Sequence, residues 1–275
     1  MNLVKINNLK YDPSLFDTWK TDTHIDTMFS VKGGIPKATN WMVTGDPGVG
    51  KSTVTMDVLA NCQRNGAKVL FISAEMNRVD LYLYVERYPK FGGFDVMFPQ
   101  EMGDGCPMEQ LETVLDRGWD VVLMDSFVEV QEIIKEECNL STKASEKWLL
   151  DLMYKHNLAG NRTKSHTTFL NIQQMTKGGT FVGSQRLKHM TTGMMEIKFD
   201  SDMEDERYIT FSKNRRGDVN KRMYFSLEST ENVNYDWDRF KKNEELQEMK
   251  KKVKDEMKES AKNFDKLSSL KSESK

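Results

Sequence analysis

The sequence predicts an α/β fold with a mostly parallel, twisted sheet that is flanked by helices and carries an antiparallel C-terminal edge. A strand-like run, a glycine-rich turn and a helical run follow one another between residues 41 and 60. Strand-like and helix-like segments then alternate up to about residue 173, which is typical of βαβ units. After Gly193 the strand-like segments have no helices between them, which favours antiparallel hairpins.

The parallel part of the sheet is predicted from short apolar runs that are bounded by polar residues. These runs occupy residues 41–44, 68–73, 95–98, 120–125 and 168–173. The helices are predicted from apolar side chains at three- and four-residue spacing, such as Leu81, Tyr84 and Val85. The predicted helices span residues 53–60, 80–88, 108–117 and 144–156.

The remainder of the chain divides into a hairpin region and a charged tail. Strands are predicted at residues 194–199, 208–212 and 222–227, joined by the short polar connectors 200–207 and 214–220. From about Trp237 the composition shifts to Lys, Glu and Ser. Apolar residues recur there at helical spacing, beginning with Leu246, Met249 and Val253. This pattern predicts an amphipathic helix that docks a partner, or a solvated helix that frays into disorder.

Composition excludes several classes of protein. The 275 residues carry 40 basic and 42 acidic side chains, so the overall charge does not indicate a nucleic-acid partner. Cys62, Cys106 and Cys138 form no C-x-x-C pair, which argues against a zinc site and favours a reduced environment. The sequence has no amino-terminal signal pattern and no apolar run that is long enough to span a bilayer. We therefore expect a cytoplasmic protein without a membrane partner.

Residues 45–52 match the phosphate-binding pattern G-x-x-x-x-G-K-[ST], in the expected setting between a strand and a helix. Glycines allow successive backbone N–H groups to surround phosphates, and the helix amino terminus adds partial positive charge. Lys51 is expected to reach the β- and γ-phosphates of a nucleoside triphosphate, and the Ser52 hydroxyl to hold Mg²⁺. The predicted nucleotide-binding residues are Gly45, Asp46, Pro47, Gly48, Val49, Gly50, Lys51, Ser52 and Thr53.

Two carboxylates follow predicted strands of the parallel sheet, whose carboxyl ends share one edge. Asp125 ends an apolar strand, as a Walker B residue does, and is expected to hold Mg²⁺ beside Ser52. Glu75 follows the strand after the first helix, where it can act as the general base for water. The alternatives are an aspartate that only ends a strand and a glutamate that caps the next helix.

Amides and a basic turn complete the candidate site. Gln173 and Gln174 end a predicted strand, and Gln174 is the preferred sensor of the γ-phosphate. Lys213 and Arg215 lie on a turn of the hairpin region, where a role within the same chain is not obvious. In a ring or filament such a turn reaches the γ-phosphate of a neighbour, as an arginine finger does. The alternative is a solvated basic turn.

These residues together resemble the ATPase core of the RadA/Sms recombination proteins and, more distantly, DnaB-type replicative helicases, which are RecA-like. The most specific match is the Lys-Asn-Arg turn that begins at Lys213, together with residues 187–190. Two features of the RadA family, an N-terminal zinc finger and a C-terminal protease-like domain, have no counterpart here, and Arg216 replaces an aromatic residue. The matching segments are residues 45–53, 71–76, 121–126, 174–177, 187–190 and 213–217.

The resemblance implies a RecA-like core that binds ATP and Mg²⁺ and assembles into a hexameric ring or a filament, with Lys213 and Arg215 acting in trans. It also implies that two loops line a DNA channel, at about residues 128–144 and 176–189. The second loop supplies the candidate DNA contacts Lys177, Arg186 and Lys188, whereas the glutamates of the first argue against phosphate contact.

We therefore expect an N-terminal arm at residues 1–30, a RecA-like ATPase domain at 31–235 and a charged tail at 236–275. The expected function is an ATP-dependent motor on single-stranded DNA in recombination, repair or replication, as a minimal version of phage type working in the host cytoplasm. A DnaB-like replicative helicase is one alternative, and a KaiC-type regulatory ATPase that binds protein is another. A nucleotide kinase is disfavoured because no arginine-rich lid is evident.

Overall fold

The computed structural model describes the chain except residues 1, 2, 4, 6, 8, 9, 102, 104, 175–184, 202, 204, 229, 230 and 273–275. It describes no side chains at residues 185, 186, 251 and 261–272. The chain divides into two compact units, residues 1–235 and residues 236–275. The first unit contains the sheet and the candidate site.

The first unit is built on a nine-stranded sheet within the described residues. Its strands, in chain order, are β3 (Asn40–Gly45), β4 (Val69–Ser73), β5 (Asp95–Met97), β6 (Val121–Asp125), β7 (Thr168–Ile172), β8 (Gly193–Phe199), β9 (Arg207–Asn214), β10 (Met223–Ser226) and β11 (Asn234–Tyr235). Their spatial order is β11-β10-β9-β8-β3-β7-β6-β4-β5. Two short strands, β1 (Thr18–Trp19) and β2 (Ile35–Pro36), form a separate antiparallel pair.

Parallel pairing joins the six strands from β8 to β5, so their carboxyl ends lie along one edge of the sheet. The remaining strands β9, β10 and β11 pair antiparallel. Strands β3, β4, β6 and β7 are buried throughout. Continuous burial explains their apolar character, because helices cover both faces of a parallel sheet.

The helices of the first unit connect the strands. They are α1 (Asp26–Phe29), α2 (Lys51–Arg64), α3 (Arg78–Arg87), α4 (Pro107–Leu115), α5 (Phe127–Glu137), α6 (Thr142–Asn157) and α7 (Gln185–Met190). Short 3-10 turns occur at residues 13–16, 89–93 and 99–101. Helices α4, α5 and α6 share one apolar core with β4 and β6, to which they contribute Leu111, Phe127 and Leu149.

An aromatic cluster joins the amino-terminal region to the sheet. Phe29 packs edge-on against Trp41 of β3 and Phe211 of β9, with ring centroids 5.2 and 5.5 Å away. All three rings are buried. The side chain of Asn214 donates hydrogen bonds to the carbonyls of Met28 and Phe29. Residues 26–30 are therefore integrated into the first unit, although the boundary predicted at residue 30 stays a prediction.

The predicted fold class, a mostly parallel sheet with an antiparallel edge, is confirmed. One local expectation is wrong. The segment 128–144, expected to be a loop, consists mainly of α5 and the start of α6, since Phe127, Val130 and Ile134 are buried at helical spacing. The predicted hairpins are present, because β8 pairs antiparallel with β9 and β9 with β10. The other edge of β8 pairs in parallel with β3 and so joins the hairpin region to the parallel sheet.

The second unit is the single helix α8 (Trp237–Ser272). Trp237 and Phe240 stack with ring centroids 5.3 Å apart, and Lys241 lies over the Trp237 ring. The apolar side chains that predict an amphipathic helix are exposed, including Leu246, Met249, Val253 and Met257. Within the described residues no helix is long and apolar enough to cross a membrane.

Candidate nucleotide-binding site

The glycine-rich loop lies between the end of β3 and the start of α2, in the setting that the sequence predicts. A Cβ atom on Gly45 would collide with the carbonyl oxygen of Ile197 on β8. Gly50 has a φ of 100°, a conformation that side-chain-bearing residues rarely adopt. Both positions therefore require glycine, and the loop places the amino terminus of a 14-residue helix at the carboxyl edge of the sheet.

Lys51 is the first residue of α2, and its ammonium group turns back to the loop. Its Nζ donates hydrogen bonds to the carbonyl oxygens of Gly45 and Asp46 at 2.9 and 3.0 Å. Partial burial lowers the pKa of Lys51, and the nearby carboxylates of Asp125, Glu75 and Asp46 partly offset this effect. A cation held inside an anion-binding loop is suited to phosphate oxygens.

Ser52 and Asp125 meet at the point where β6 ends. The Ser52 hydroxyl donates a hydrogen bond to Asp125 Oδ2 at 2.6 Å. Among the described residues the other carboxylate oxygen, Oδ1, is buried and has no hydrogen-bond partner. Burial raises the pKa of Asp125 to about 6, and Glu75 contributes to the rise.

The hydroxyl–carboxylate pair fits a divalent metal ion. Burying a carboxylate oxygen without a partner destabilises the folded protein, and a bound cation would offset that loss of free energy. Carboxylate and hydroxyl oxygens are the ligands that Mg²⁺ prefers, usually with phosphate oxygens and water completing the shell. The residues present, Ser52 and Asp125, therefore match the predicted metal site in their chemistry.

Glu75 lies beside Asp125 at the end of the neighbouring strand β4. The backbone N–H groups of Ala74 and Glu75 both donate to the carbonyl oxygen of Asp125, at 2.7 and 3.1 Å. This pairing extends the β4–β6 ladder past the strand ends. The Glu75 side chain is exposed, so its carboxylate is accessible to water.

Gln174 follows β7, and its side-chain amide donates to Glu75 Oε1 at 3.0 Å. Gln173, by contrast, is fully buried. The structure thus brings together Glu75 and the preferred sensor Gln174, while Gln173 faces the interior of the protein. The sequence predicted both residues for the site, but nothing in the sequence indicated that Gln174 would contact Glu75 directly.

Glu129 is a further acidic residue near this edge. It lies in the first turn of α5, four residues after Asp125. Partial burial raises the pKa of Glu129, and Glu75 adds to the rise. The sequence interpretation placed Glu129 in a DNA loop, whereas the helix brings it close enough to Glu75 to interact electrostatically. It therefore adds negative charge to the site.

The predicted finger residues contact the end of α7 in the same chain. Lys213 Nζ donates hydrogen bonds to the carbonyls of Lys188 and Thr191, the latter at 2.6 Å. Arg215 Nη2 donates to the carbonyl of His189 at 3.0 Å. Cations at a helix carboxyl terminus compensate its unpaired carbonyls and partial negative charge. These contacts hold both residues next to the helix that follows residues 175–184.

The candidate DNA contacts are only partly described. Lys177 lies outside the described residues, and Arg186 belongs to α7 but its side chain is not described. Lys188 also belongs to α7 and is half-buried.

A second group beside the loop was not found from the sequence. Leu227 and Arg207 approach Gly50, and Arg207 stacks over the ring of Phe199 at 5.3 Å. These residues come from the hairpin region, where no motif marks them. Their only sequence signal is their place at the predicted ends of strands.

The chain is similar in sequence to a family of ATPases and to proteins named for DNA repair. A family model described as "ATPase: KaiC" matches residues 20–92. The DNA repair protein RadA of Campylobacter jejuni is 24% identical over 206 residues, which are 75% of this chain and 43% of that protein. RadA of Streptococcus pyogenes is 26% identical over 236 residues, 83% of this chain and 47% of that protein. The chain therefore spans less than half the length of these relatives.

Solved structures share the fold. A KaiC-like protein from Pyrococcus horikoshii is 15% identical with a TM-score of 0.58, covering 80% of this chain and 97% of that chain. The flagellar accessory protein FlaH of Methanocaldococcus jannaschii is 12% identical with a TM-score of 0.59, covering 80% and 99%. The strand order, the phosphate-binding loop and these similarities agree with the predicted resemblance. The chain has a RecA-like fold with a P-loop, and in sequence it resembles the KaiC ATPase family and the DNA repair protein RadA.

Proposed function

We propose that this protein is an ATP- and Mg²⁺-dependent motor that acts on single-stranded DNA in recombination, repair or replication. The observation that carries the proposal is the convergence of Ser52, Asp125, Glu75 and Gln174 on the phosphate-binding loop. A phosphate-binding loop alone serves many activities. A metal-binding pair and a water-accessible carboxylate beside it are the requirements for hydrolysis of the γ-phosphate.

In the proposed reaction, Lys51 and the loop N–H groups hold the β- and γ-phosphates of ATP. Glu75 accepts a proton from a water molecule as the water oxygen attacks the γ-phosphorus. The bond between the γ-phosphorus and the bridging oxygen breaks, and ADP and inorganic phosphate leave. Gln174 positions the Glu75 carboxylate through their hydrogen bond. Ser52 and Asp125 would hold Mg²⁺, which supplies charge compensation for the phosphates.

Action in trans is supported by the position of Lys213 and Arg215 on the antiparallel edge. Both side chains contact α7 carbonyls and none of the phosphate-loop residues among the described contacts. A ring or filament would allow them to reach the nucleotide of a neighbouring copy. Through α7 they would also connect that neighbour's site to residues 175–184, which belong to the segment proposed to bind DNA.

The DNA substrate is proposed from the likeness to proteins named for DNA repair. The net charge of −2 offers no general attraction to DNA, so contact would depend on local groups such as Lys177, Arg186 and Lys188. Binding would then be weak at high salt and independent of base sequence. A DnaB-like helicase that unwinds duplex DNA remains the alternative within the same class.

A second candidate function is a regulatory ATPase that binds a protein partner. The KaiC family model and the KaiC-like structure favour it. The exposed apolar side chains of α8, such as Met249 and Met257, would then contribute to a protein-binding surface.

These functions can be separated by measuring the ATPase rate with and without a single-stranded oligonucleotide at low salt. The proposed motor predicts a faster rate with DNA and a loss of that stimulation as salt is raised. A parallel assay on a forked duplex identifies a helicase by strand separation. An ATPase rate that DNA does not stimulate, together with no binding of the oligonucleotide at low salt, would contradict the DNA motor. This result would favour the regulatory ATPase.

A further inference from the structure

The phosphate-binding loop has a different environment on each side. Glu75, Asp125 and Gln174 follow β4, β6 and β7, which lie on one side of β3. On the other side of β3 is β8, which ends at Phe199. Polar groups that suit the γ-phosphate therefore occupy one side of the loop, and the end of β8 occupies the other.

The strand register brings three side chains together on this second side. Phe199 is paired with Arg207, and Arg207 is paired with Phe225 near the end of β10. Leu227 follows β10 directly. Phe199, Arg207 and Leu227 thus lie at the same edge of the sheet as the phosphate-binding loop.

Leu227 and Arg207 lie nearest to the phosphate-binding loop at Gly50. A Cβ atom on Gly50 would lie 2.6 Å from Leu227 Cδ1 and 3.9 Å from Arg207 Nη1. A side chain at position 50 would therefore collide with Leu227. Glycine at this position lets the hairpin region come into contact with the residue that precedes Lys51.

Arg207 is held in a defined orientation but is not neutralised. Its guanidinium lies over the Phe199 ring at 5.3 Å. Its Nε is buried without a hydrogen-bond partner among the described residues. Within those residues it also forms no ion pair with an acidic side chain. Phe199 itself is 38% exposed, so part of its ring is accessible to a ligand.

We propose that Phe199, Arg207 and Leu227 form the subsite for the base and ribose of the nucleotide. This inference rests on the proposed function, because it assumes that ATP binds the loop. A planar guanidinium stacked on an aromatic ring and an aliphatic side chain offer flat, mostly apolar surfaces, which suit a heteroaromatic base better than a phosphate. The Nη groups of the Arg207 guanidinium are of the type that can donate hydrogen bonds to ring nitrogens or ribose hydroxyls.

The test compares ATP with inorganic tripolyphosphate, which has the phosphates but no base or ribose. Affinities of both are measured by calorimetry for the full chain and for Arg207→Ala, Phe199→Ala and Lys51→Ala. The exposed Arg162→Ala serves as the matched control for loss of an arginine. We expect Arg207→Ala to weaken ATP binding about 10-fold while tripolyphosphate affinity changes less than about 2-fold.

The outcomes separate the subsite from the proposed function. If Lys51→Ala weakens both ligands and Arg207→Ala weakens only ATP, the subsite is supported. If Arg207→Ala weakens both ligands equally, or neither, while the unaltered chain binds ATP, the base subsite is wrong and the ATPase proposal stands. If the unaltered chain binds neither ligand, the proposed function itself fails.

A different observation concerns two thiols outside this site. Cys106 immediately precedes α4 and Cys138 immediately follows α5, and their sulfur atoms are 3.4 Å apart. Both are free thiols, and Cys106 is exposed. A hydrogen bond from the backbone of Glu109 lowers the pKa of Cys106, whereas burial raises that of Cys138. Cys62, the third cysteine, is buried.

We infer that Cys106 and Cys138 form a disulfide when the protein meets a peroxide. The Cys106 thiol loses its proton, and the thiolate attacks one oxygen of hydrogen peroxide. The O–O bond breaks, a sulfenic acid forms, and the departing hydroxide takes up the released proton and leaves as water. The Cys138 sulfur then attacks the sulfenic sulfur and releases a second water. Sulfur is oxidised and peroxide oxygen reduced, and the new bond joins the start of α4 to the end of α5.

Peptide mapping of the full chain after brief peroxide treatment tests this pair. We expect a Cys106–Cys138 cross-linked peptide that dithiothreitol reverses, and an unmodified Cys62. In Cys138→Ser, Cys106 should accumulate as a sulfenic acid that dimedone traps. Cross-links only between different chains, or a Cys106 that stays reduced in both proteins, would overturn the inference.

Discussion

Gln174 donates a hydrogen bond to Glu75 across 3.0 Å, although the two residues are 99 positions apart in the chain. Each follows a strand of the parallel sheet, and the strand between them ends at Asp125. The sheet therefore fixes the positions of the proposed base, the proposed metal ligand and the proposed sensor relative to one another.

Replacing Gln174 by alanine should slow ATP hydrolysis without weakening ATP binding. The substitution removes a hydrogen bond to an ionised carboxylate, which is worth about 10-fold in rate. Steady-state ATPase kinetics and a separate binding measurement check both parts. Gln174→Glu is the matched control, because it keeps the shape but places a like charge beside Glu75, and it should be at least as slow. A normal rate in both variants would exclude the positioning role.

The main parts of this site could be predicted from the sequence because each lies at a strand end. A strand–turn–helix pattern located Lys51 and Ser52, and apolar runs that end in a carboxylate located Asp125 and Glu75. Parallel strands share a carboxyl edge, so their convergence follows from the fold class. The fold class was predictable because the buried parallel strands read as short continuous apolar runs that alternate with segments of helical spacing.

Other parts could not be predicted because they depend on tertiary contacts. The resemblance implied a loop at residues 128–144, but Phe127, Val130 and Ile134 pack α5 against the core. The contact of Arg207 and Leu227 with the phosphate-binding loop requires the pairing of β9 with β8 and β10. The pair Cys106 and Cys138, 32 residues apart, likewise meets only through the packing of α4 and α5.

Substituting Asp125 by asparagine should remove the effect of Mg²⁺ on nucleotide binding. Asparagine keeps the size of the side chain but loses the negative charge that would hold the cation. ATP affinity measured with Mg²⁺ and with EDTA should differ in the unaltered protein and converge in Asp125→Asn. A variant that retained the full Mg²⁺ enhancement would show that Asp125 is not a metal ligand.

Arg215→Ala should lower the ATPase rate by about 1,000-fold while leaving ATP binding nearly unchanged, as expected for an arginine finger. The exposed neighbour Arg216→Ala is the matched control and should retain activity. Mixing Arg215→Ala with Glu75→Gln chains tests action in trans. Mixed assemblies should regain part of the activity, because some sites then combine an intact Glu75 with an intact neighbouring Arg215. No recovery on mixing would contradict action in trans.

The stability of the first unit should fall as pH drops below about 6.5, the ordinary pKa of histidine. His156 is fully buried, and burial lowers its pKa despite the partial compensation by Asp116. The unfolded chain therefore binds a proton more readily than the folded protein, and acid favours unfolding. Melting temperatures at pH 8 and pH 5.5 should differ less in His156→Asn than in the unaltered protein. An unchanged difference would assign the pH dependence to other groups.

The role of Glu75 as the general base is tested most sharply by the ATPase rate of Glu75→Gln, measured together with the affinity of this variant for ATP. Glutamine preserves the size of the side chain but cannot accept a proton from water. A general base contributes about 100-fold or more to such a reaction. If Glu75 is the general base, hydrolysis should fall by at least this factor while ATP binds as tightly as before. Hydrolysis at the unaltered rate in Glu75→Gln would contradict the proposed chemistry of the site.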